Sequence, residues 1–199
     1  MMTTIGITGG IGSGKSTLSR LLETSGVPVY IADTEAKKLM NTSPDIKGKL
    51  IQKFGEAIYS EDGLNREKLA SLIFDNSEAI AYVNSIVHPA VRADFIEWAE
   101  YCLCPVIAVE SAILFESRLD ALVDFTVTVS APLEIRMERI LQRDRLSEKE
   151  ITDRIANQMP EEEKIDRSDF VIINDDYHAL IPQAEALINL FSNQSSLSS

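Results

Sequence analysis

The chain has 199 residues, of which 45% are apolar and 25% charged, and its formal net charge is −12. This length suits one domain, or one domain with insertions. No apolar run reaches the ~18 residues of a membrane span, and the first residues lack the basic and apolar regions of a secretory signal. The negative net charge argues against general binding to nucleic acid or membrane surfaces, so any bound phosphate must be held by a local binding site.

The two cysteines, Cys102 and Cys104, are too close in sequence for a good structural disulfide. They are also too few for a zinc site on their own. The simplest interpretation is that they are small buried residues. We therefore expect a reduced, cytoplasmic protein.

The N-terminal pattern alternates strand and helix. Thr3–Thr8 is a β-rich run that leads directly into four glycines. From Lys15, leucines recur at three- and four-residue spacing up to Gly26, which predicts a helix that ends there. Val27–Ala32 predicts a second strand, and Asp33 stands where a helix cap belongs.

The rest of the chain continues this alternation after a long helical block. Residues 44–104 are mainly helical in pattern, with a turn at Asp62-Gly63 and an interruption at His88-Pro89. The predicted segments that follow are strand Val106–Val109, strand Phe125–Val129, an arginine-rich helical segment Leu133–Arg167, strand Phe170–Ile173, helix Tyr177–Phe191 and a patternless, mobile tail at 192–199.

Strands separated by helical stretches predict an α/β fold, with a parallel β-sheet core and helices on both faces. The core would comprise residues 1–32, 105–132 and 168–191. Residues 33–104 and 133–167 are then insertions in one domain. Both insertions leave from the carboxyl ends of strands, where ligands bind in such sheets.

The segment from Gly9 to Ser16 fits the phosphate-loop pattern G-x-x-x-x-G-K-[ST] between a predicted strand and a predicted helix. Its glycines let backbone N–H groups turn toward phosphate oxygens, and the helix N-terminus adds positive partial charge. Lys15 can reach the β- and γ-phosphates, and the Ser16 hydroxyl can ligate Mg²⁺. We predict that a nucleoside triphosphate, by default ATP, binds with Mg²⁺ to Gly9, Gly10, Ile11, Gly12, Ser13, Gly14, Lys15, Ser16 and Thr17.

Asp33 has two interpretations, which the residues leave open. It follows the second predicted strand, which would place it beside the phosphate loop at the carboxyl edge of the sheet. A carboxylate there could accept the proton of an attacking hydroxyl. Alternatively, Asp33 only caps the next helix.

Arginines are concentrated in the second insertion, where Arg136, Arg139, Arg143, Arg145 and Arg154 fall. Arg139 and Arg143 are four residues apart and share a helix face. We interpret these two as a lid pair that neutralises charge on a transferred phosphoryl group. Acidic residues are interleaved with all five, so surface ion pairs explain the others.

Four further residues are candidates with open or structural roles. Glu110 ends a predicted strand and suits the Mg²⁺ shell, through a water because Glu is longer than Asp. Glu116 is either a substrate contact or an ordinary loop carboxylate. His88 either contacts a substrate or caps a bend, whereas His178 is structural.

In order along the chain, these motifs resemble the dephospho-coenzyme A kinase family. The phosphate loop is common to many unrelated proteins, but the ordered set is specific. The matching segments are Ile5–Thr17, Ala32-Asp33, Phe54-Gly55, Asp62-Gly63, Arg66, Leu69, Ile73-Phe74, Asn84, His88-Pro89, Leu114–Glu116, Arg139, Arg143, Arg154, Gln158, Lys164, Asp169 and Asn174.

The resemblance implies a P-loop kinase with a helical substrate-binding insertion and a lid. Such an enzyme transfers the γ-phosphoryl group of ATP to the ribose 3′-hydroxyl of dephospho-coenzyme A, the last step of coenzyme A synthesis. The resemblance gives Asp33 the role of catalytic base, and it makes Arg139 and Arg143 the lid arginines. It also places Asn174 near the adenine. The acceptor contacts would be Arg66, His88 and Glu116.

The chain departs from the family pattern at three positions. Ile31, Ala112 and Asp175 stand where the family has aspartate, proline and glycine, and the turn before Arg66 is one residue shorter. The nearest alternative is another nucleotide or small-molecule kinase of this architecture with a different acceptor. A nucleotide-dependent switch is the more distant one, and the guanine-recognition pattern N-K-x-D is absent from the sequence.

Overall fold

The structure, a computed structural model, describes residues 2–74, 76–143 and 147–197, with the backbone alone for 193–197. It divides into two compact units. The first comprises residues 2–31 together with 98–197, and the second is Ala32–Glu97. No helix in the described ranges has both the length and the apolarity to cross a membrane.

The first unit is built on a five-stranded sheet in which every pairing is parallel. Numbered in chain order, its strands are β1 (Thr3–Thr8), β2 (Val29–Ile31), β5 (Val106–Glu110), β6 (Phe125–Ser130) and β7 (Phe170–Ile173). They lie side by side in the order β2-β5-β1-β6-β7. The predicted parallel α/β fold is therefore confirmed, and the segment after β1 leaves from the centre of the sheet.

The helices of this unit follow the strands. They are α1 (Lys15–Thr24), α6 (Leu133–Arg143), α7 (Glu148–Ala156), α8 (Glu161–Arg167) and α9 (Leu180–Leu197). The last helix extends past the predicted end at Phe191, so the sequence 192–197, which has no pattern of its own, is helical. The remainder of the predicted tail, 198–199, lies outside the described residues.

Helices cover both faces of the sheet, because side chains alternate along each strand. Ile5 and Ile7 of β1 share one buried cluster with Leu18 of α1 and Phe191 of α9. On the opposite face, the Thr128 hydroxyl of β6 donates to the backbone oxygen of Lys164 in α8 at 3.2 Å. Glycine at position 6 leaves room on that face for Leu114 and Val123.

The second unit is mainly helical. It contains α2 (Ala32–Thr42), α3 (Pro44–Phe54), α4 (Arg66–Ile73) and most of α5 (Ser77–Glu100), with a two-stranded hairpin of β3 (Tyr59–Ser60) and β4 (Gly63–Leu64). The hairpin forms at the predicted Asp62-Gly63 turn, where the φ of Gly63 is +104°. That backbone conformation favours glycine.

Besides the end of the last helix, two local predictions are wrong. Helix α5 continues through His88 and Pro89. Its buried side chains recur every four residues, so their packing outweighs the hydrogen bond lost at the proline. These residues are Ala79, Val83, Val87, Val91 and Phe95.

The other correction concerns the start of α2. Strand β2 ends at Ile31, and the helix begins at Ala32, so Asp33 lies inside its first turn. The interpretation of Asp33 as a helix cap is therefore wrong. A carboxylate in the first turn still interacts favourably with the helix dipole.

Candidate active site

The phosphate loop connects β1 to α1, as predicted. Its backbone bends sharply at Gly14, whose φ of +102° lies in the left-handed region that favours glycine. A Cβ atom at Gly14 would collide with the side chain of Asn174, and one at Gly10 would collide with the guanidinium of Arg136. The loop therefore needs glycine at these positions for close approach by neighbouring side chains.

Lys15 and Ser16 are the first two residues of α1. Lys15 is buried, and its Nζ donates to the Gly10 carbonyl oxygen at 3.3 Å. This contact folds the lysine back over the loop. Its ammonium is thus held where the loop backbone is turned to receive phosphate.

Glu110 lies next to Ser16. In the register of β1 and β5, Glu110 pairs with Ile7, which brings the end of β5 level with the start of the loop. The buried carboxylate accepts hydrogen bonds from Ser16 Oγ at 3.3 Å and from Ser19 Oγ at 2.8 Å. The structure thus brings the two predicted magnesium residues together. Hard oxygen donors of this kind suit Mg²⁺.

The predicted lid pair lies on α6. Arg139 donates from Nη2 to Asp176 Oδ1 at 2.5 Å and to Asn174 Oδ1 at 3.5 Å. Its Nη1 is buried and makes no hydrogen bond within the described part of the chain. Arg143 is the last residue of α6 and is exposed. Of the other arginines in the segment, Arg145 lies outside the described residues.

Asn174 directly follows β7 and contacts the phosphate loop. Its Nδ2 donates to the Ser13 carbonyl oxygen at 2.7 Å, and its backbone N–H donates to the Ser130 carbonyl oxygen at 2.8 Å. The next residue, Asp175, accepts from the backbone N–H groups of Tyr177 and His178. Those bonds, the one from His178 above all, lower the pKa of Asp175 to about 2. The aspartate at 175 therefore builds a turn through its side chain.

Glu116 contacts residues of its own unit. Its Oε1 accepts from the Met159 backbone N–H at 2.9 Å and lies 3.6 Å from Lys164 Nζ. Lys164 is fully buried and donates to the Ala112 carbonyl oxygen at 2.5 Å. Burial lowers the pKa of Lys164, and the nearby Glu116 carboxylate partly opposes this shift. Lys164 thus holds both ends of the loop 112–116.

The remaining predicted residues belong to the second unit. Asp33 is exposed in the first turn of α2, and Arg66 is exposed as the first residue of α4. His88 is half-buried in the middle of α5. Their proposed roles toward substrate stay predictions.

Four residues near the loop are absent from the sequence-based site: Ser19, Arg136, Gln158 and Glu161. Ser19 follows Ser16 by three residues, so helical spacing alone could have placed it beside Glu110. Gln158 matches the family pattern, but nothing in the neighbouring sequence predicts which group its side chain will bind. Arg136 is only 5% exposed, although its sequence context suggests a surface arginine. Its partners lie far away in sequence, as do those of Glu161.

Comparisons with known proteins identify the family to which this chain is similar. The dephospho-CoA kinase family model matches residues 3–179. A curated relative from Bacteroides fragilis, named dephospho-CoA kinase, is 49% identical over 94% of this chain and 92% of its own. The crystal structure of TT1252 from Thermus thermophilus has a TM-score of 0.82 at 35% identity, covering 96% of this chain and 97% of its own. Dephospho-CoA kinase from Campylobacter jejuni has a TM-score of 0.70 at 27% identity, covering 98% of this chain and 99% of its own.

Proposed function

This chain belongs to the dephospho-CoA kinase family, and from that premise we propose how its residues perform the reaction of the family. The enzyme phosphorylates the ribose 3′-hydroxyl of dephospho-CoA with ATP, giving coenzyme A and ADP in the last step of coenzyme A synthesis. One observation supports the roles that we propose for individual residues. Around one phosphate loop lie Lys15, Ser16, Glu110, Arg139 and Asn174.

ATP binds along residues 9–17 in this proposal. Backbone N–H groups of the loop and the N-terminus of α1 receive the phosphate oxygens. Lys15 releases the Gly10 carbonyl oxygen and turns its ammonium toward the β- and γ-phosphates. Asn174 lies against Gly14 and Ser13 and would position the adenine end of the nucleotide.

Magnesium is held by Ser16 and Glu110 in this proposal. The Ser16 hydroxyl would hold the ion directly, and the Glu110 carboxylate would hold it through water. Support comes from the 3.3 Å hydrogen bond between the two side chains and from the burial of Glu110. When bound, Mg²⁺ neutralises charge on the β- and γ-phosphates.

The acceptor is held by the insertion at residues 33–104, through Arg66 and His88, with Glu116 as a further contact. Asp33 orients the ribose 3′-hydroxyl and takes its proton as the oxygen attacks the γ-phosphorus. The bond from the γ-phosphorus to the bridging oxygen breaks, and ADP leaves with that oxygen. The position of Asp33 directly after β2, together with the family motif, supports this role.

Arg139 and Arg143 act from the lid, residues 133–167. The buried Nη1 of Arg139, which has no hydrogen-bond partner among the described residues, supports a phosphate contact. Such an unsatisfied donor costs about 1–3 kcal/mol, which a ligand oxygen would recover. Closure of the lid would exclude water and limit wasteful hydrolysis of ATP.

An acceptor assay tests the assignment. Release of ADP from ATP and Mg²⁺ is measured with dephospho-CoA, AMP, CMP and shikimate as separate acceptors. We expect rapid release with dephospho-CoA alone, and a product that has gained one phosphoryl group by mass spectrometry. Turnover restricted to one of the other three acceptors would overturn it.

The small-molecule substrates ATP and dephospho-CoA are the partners in this proposal, and nucleic acid is not one, in keeping with the net charge of −12. We place the enzyme in the cytoplasm. The low cysteine count, two in 199 residues, supports that location, because disulfide-bonded proteins belong to oxidising compartments.

A further inference from the structure

One peptide segment of the phosphate loop is held from both sides by side chains of the segment 133–161. The Ile11 backbone N–H donates to Gln158 Oε1 at 3.1 Å. The Ile11 carbonyl oxygen accepts from Arg136 Nε at 3.0 Å. We propose that Gln158 and Arg136 are positioning residues that fix the phosphate loop in its ATP-binding conformation, with Glu161 fixing Arg136. We call this set the Ile11 clamp.

The Gln158 side of the clamp acts on the peptide between Gly10 and Ile11. Each peptide unit is planar, so the N–H of Ile11 and the C=O of Gly10 turn together. The Gly10 oxygen accepts hydrogen bonds from Lys15 Nζ at 3.3 Å and from the Ser13 backbone N–H at 3.1 Å. Gln158 therefore fixes the orientation of the Gly10–Ile11 peptide, and the Ser13 contact of that peptide does not depend on the release of Lys15 toward ATP.

The Arg136 side of the clamp acts on the next peptide. The C=O of Ile11 shares a plane with the N–H of Gly12, and the two point in opposite directions in a trans peptide. Because Arg136 binds the oxygen, the Gly12 N–H is turned to the other side of the loop. Arg136 also packs so closely on Gly10 and Gly12 that a Cβ atom at either glycine would collide with it.

Arg136 is itself immobilised. Its Nη1 forms an ion pair with Glu161 Oε2, and the two side chains are 6% and 15% exposed. The other oxygen of Glu161 accepts from Ser130 Oγ at 2.6 Å and from the Ala131 backbone N–H at 3.1 Å. Glu161 thus ties the arginine to the end of β6. Arg136 is a fixed support for the loop, unlike the proposed phosphate-binding Arg139.

This arrangement answers a physical need of the loop. Glycine-rich backbone loses more conformational freedom on ordering than any other. If the loop loses this conformational entropy only when ATP binds, the loss reduces the affinity for ATP. A loop that is already ordered in the free enzyme avoids this reduction. The clamp rests on the proposed nucleotide site and deepens it, since it names what holds that site in shape.

The first test uses Gln158→Met, which removes the acceptor at similar size, with Gln142→Met on the exposed face of α6 as its control. Isothermal titration with ATP and Mg²⁺ should show affinity reduced about 5- to 30-fold for the first variant and unchanged for the control. The KM for dephospho-CoA at saturating ATP should stay within about twofold of wild type. A merely structural role would lower the Tm of the free enzyme and leave ATP affinity intact, which would overturn the proposal.

The second test removes the arginine without leaving a buried charge. Arg136→Met alone would strand Glu161, so it is combined with Glu161→Gln, which keeps an acceptor for Ala131. We expect the double variant to fold cooperatively and to bind ATP more weakly by a similar factor. ATP affinity within about twofold of wild type in both Gln158→Met and the double variant would disprove the clamp. These titrations contain ATP and Mg²⁺ but no acceptor, so they test the clamp alone. Failure of the kinase assignment would appear in the acceptor assay instead.

Discussion

Arg139 and Asp176 form an ion pair beside the phosphate loop, with 2.5 Å between Nη2 and Oδ1. The carboxylate is 65% exposed, and Asp176 has a left-handed φ of +67°. This pair competes with the phosphate contact that we assign to Arg139. The strength of that competition is open to measurement.

Asp176→Asn should favour ATP binding, because it removes the charge that holds Arg139 and keeps a residue that tolerates left-handed backbone. An exposed ion pair contributes little, so we expect the KM for ATP to fall by no more than about fivefold. Asp166→Asn, an equal charge change at an exposed position on α8, is the control in the same steady-state assay. A higher KM for ATP in Asp176→Asn would mean that Asp176 helps to bind the nucleotide.

Arg139→Met should lower kcat by roughly 10²-fold, the size expected when one preorganised donor to a developing negative charge is removed. The KM for dephospho-CoA should change little. Steady-state kinetics with each substrate varied in turn separates the two effects. A normal kcat would exclude Arg139 from the transition state.

Ser16→Ala should raise the Mg²⁺ concentration needed for half-maximal activity by at least about tenfold, since a proposed ligand is lost. Ser19→Ala is the matched control, because Ser19 also donates to Glu110 but has no proposed contact with the metal. Activity is titrated with Mg²⁺ at fixed ATP. Equal shifts in the two variants would assign the effect to Glu110 and not to the metal.

Asp33→Asn should reduce kcat by roughly 10²- to 10⁴-fold, the usual contribution of a general base, with the KM for ATP nearly unchanged. Glu35→Gln, in the same first turn of α2, controls for loss of a favourable charge at the helix N-terminus. Turnover near the wild-type rate would leave Asp33 with only that electrostatic role.

Lys164 should make stability depend on pH. Burial lowers its pKa below the usual 10.5, so the folded chain loses this proton at a lower pH than the unfolded chain. The stabilisation linked to this pKa shift is complete above pH 10.5 and is lost as pH falls through the folded-state pKa. The free energy of unfolding of wild type, measured relative to Lys164→Met, should therefore rise as pH is raised toward 10.5.

Urea unfolding at several pH values between neutral and about 10 measures this difference. Lys149→Met on the exposed surface of α7 controls for the general effect of removing a lysine. A difference between wild type and Lys164→Met that stays constant across the range would contradict a lowered pKa.

Helix α5 and the end of α9 show where local pattern fails. A proline predicts a break, yet the buried stripe from Ala79 to Phe95 stabilises one continuous helix. Residues 192–197 have no apolar periodicity of their own, but they extend a helix whose preceding turns are packed in the core. In both cases tertiary packing overrides the propensity of a few residues.

The sequence by itself determined the parallel sheet, the phosphate loop and the family. Each of these depends on residues close together in the chain, whose spacing sets strand or helix periodicity and the positions of the glycines. Only the tertiary structure decided that Arg136 and Gln158 hold Ile11 and that Asp176 pairs with Arg139. Those partners are far apart along the chain, and strand order together with the packing of α6 brings them within hydrogen-bond distance. A charge in the sequence does not specify which distant group will neutralise it.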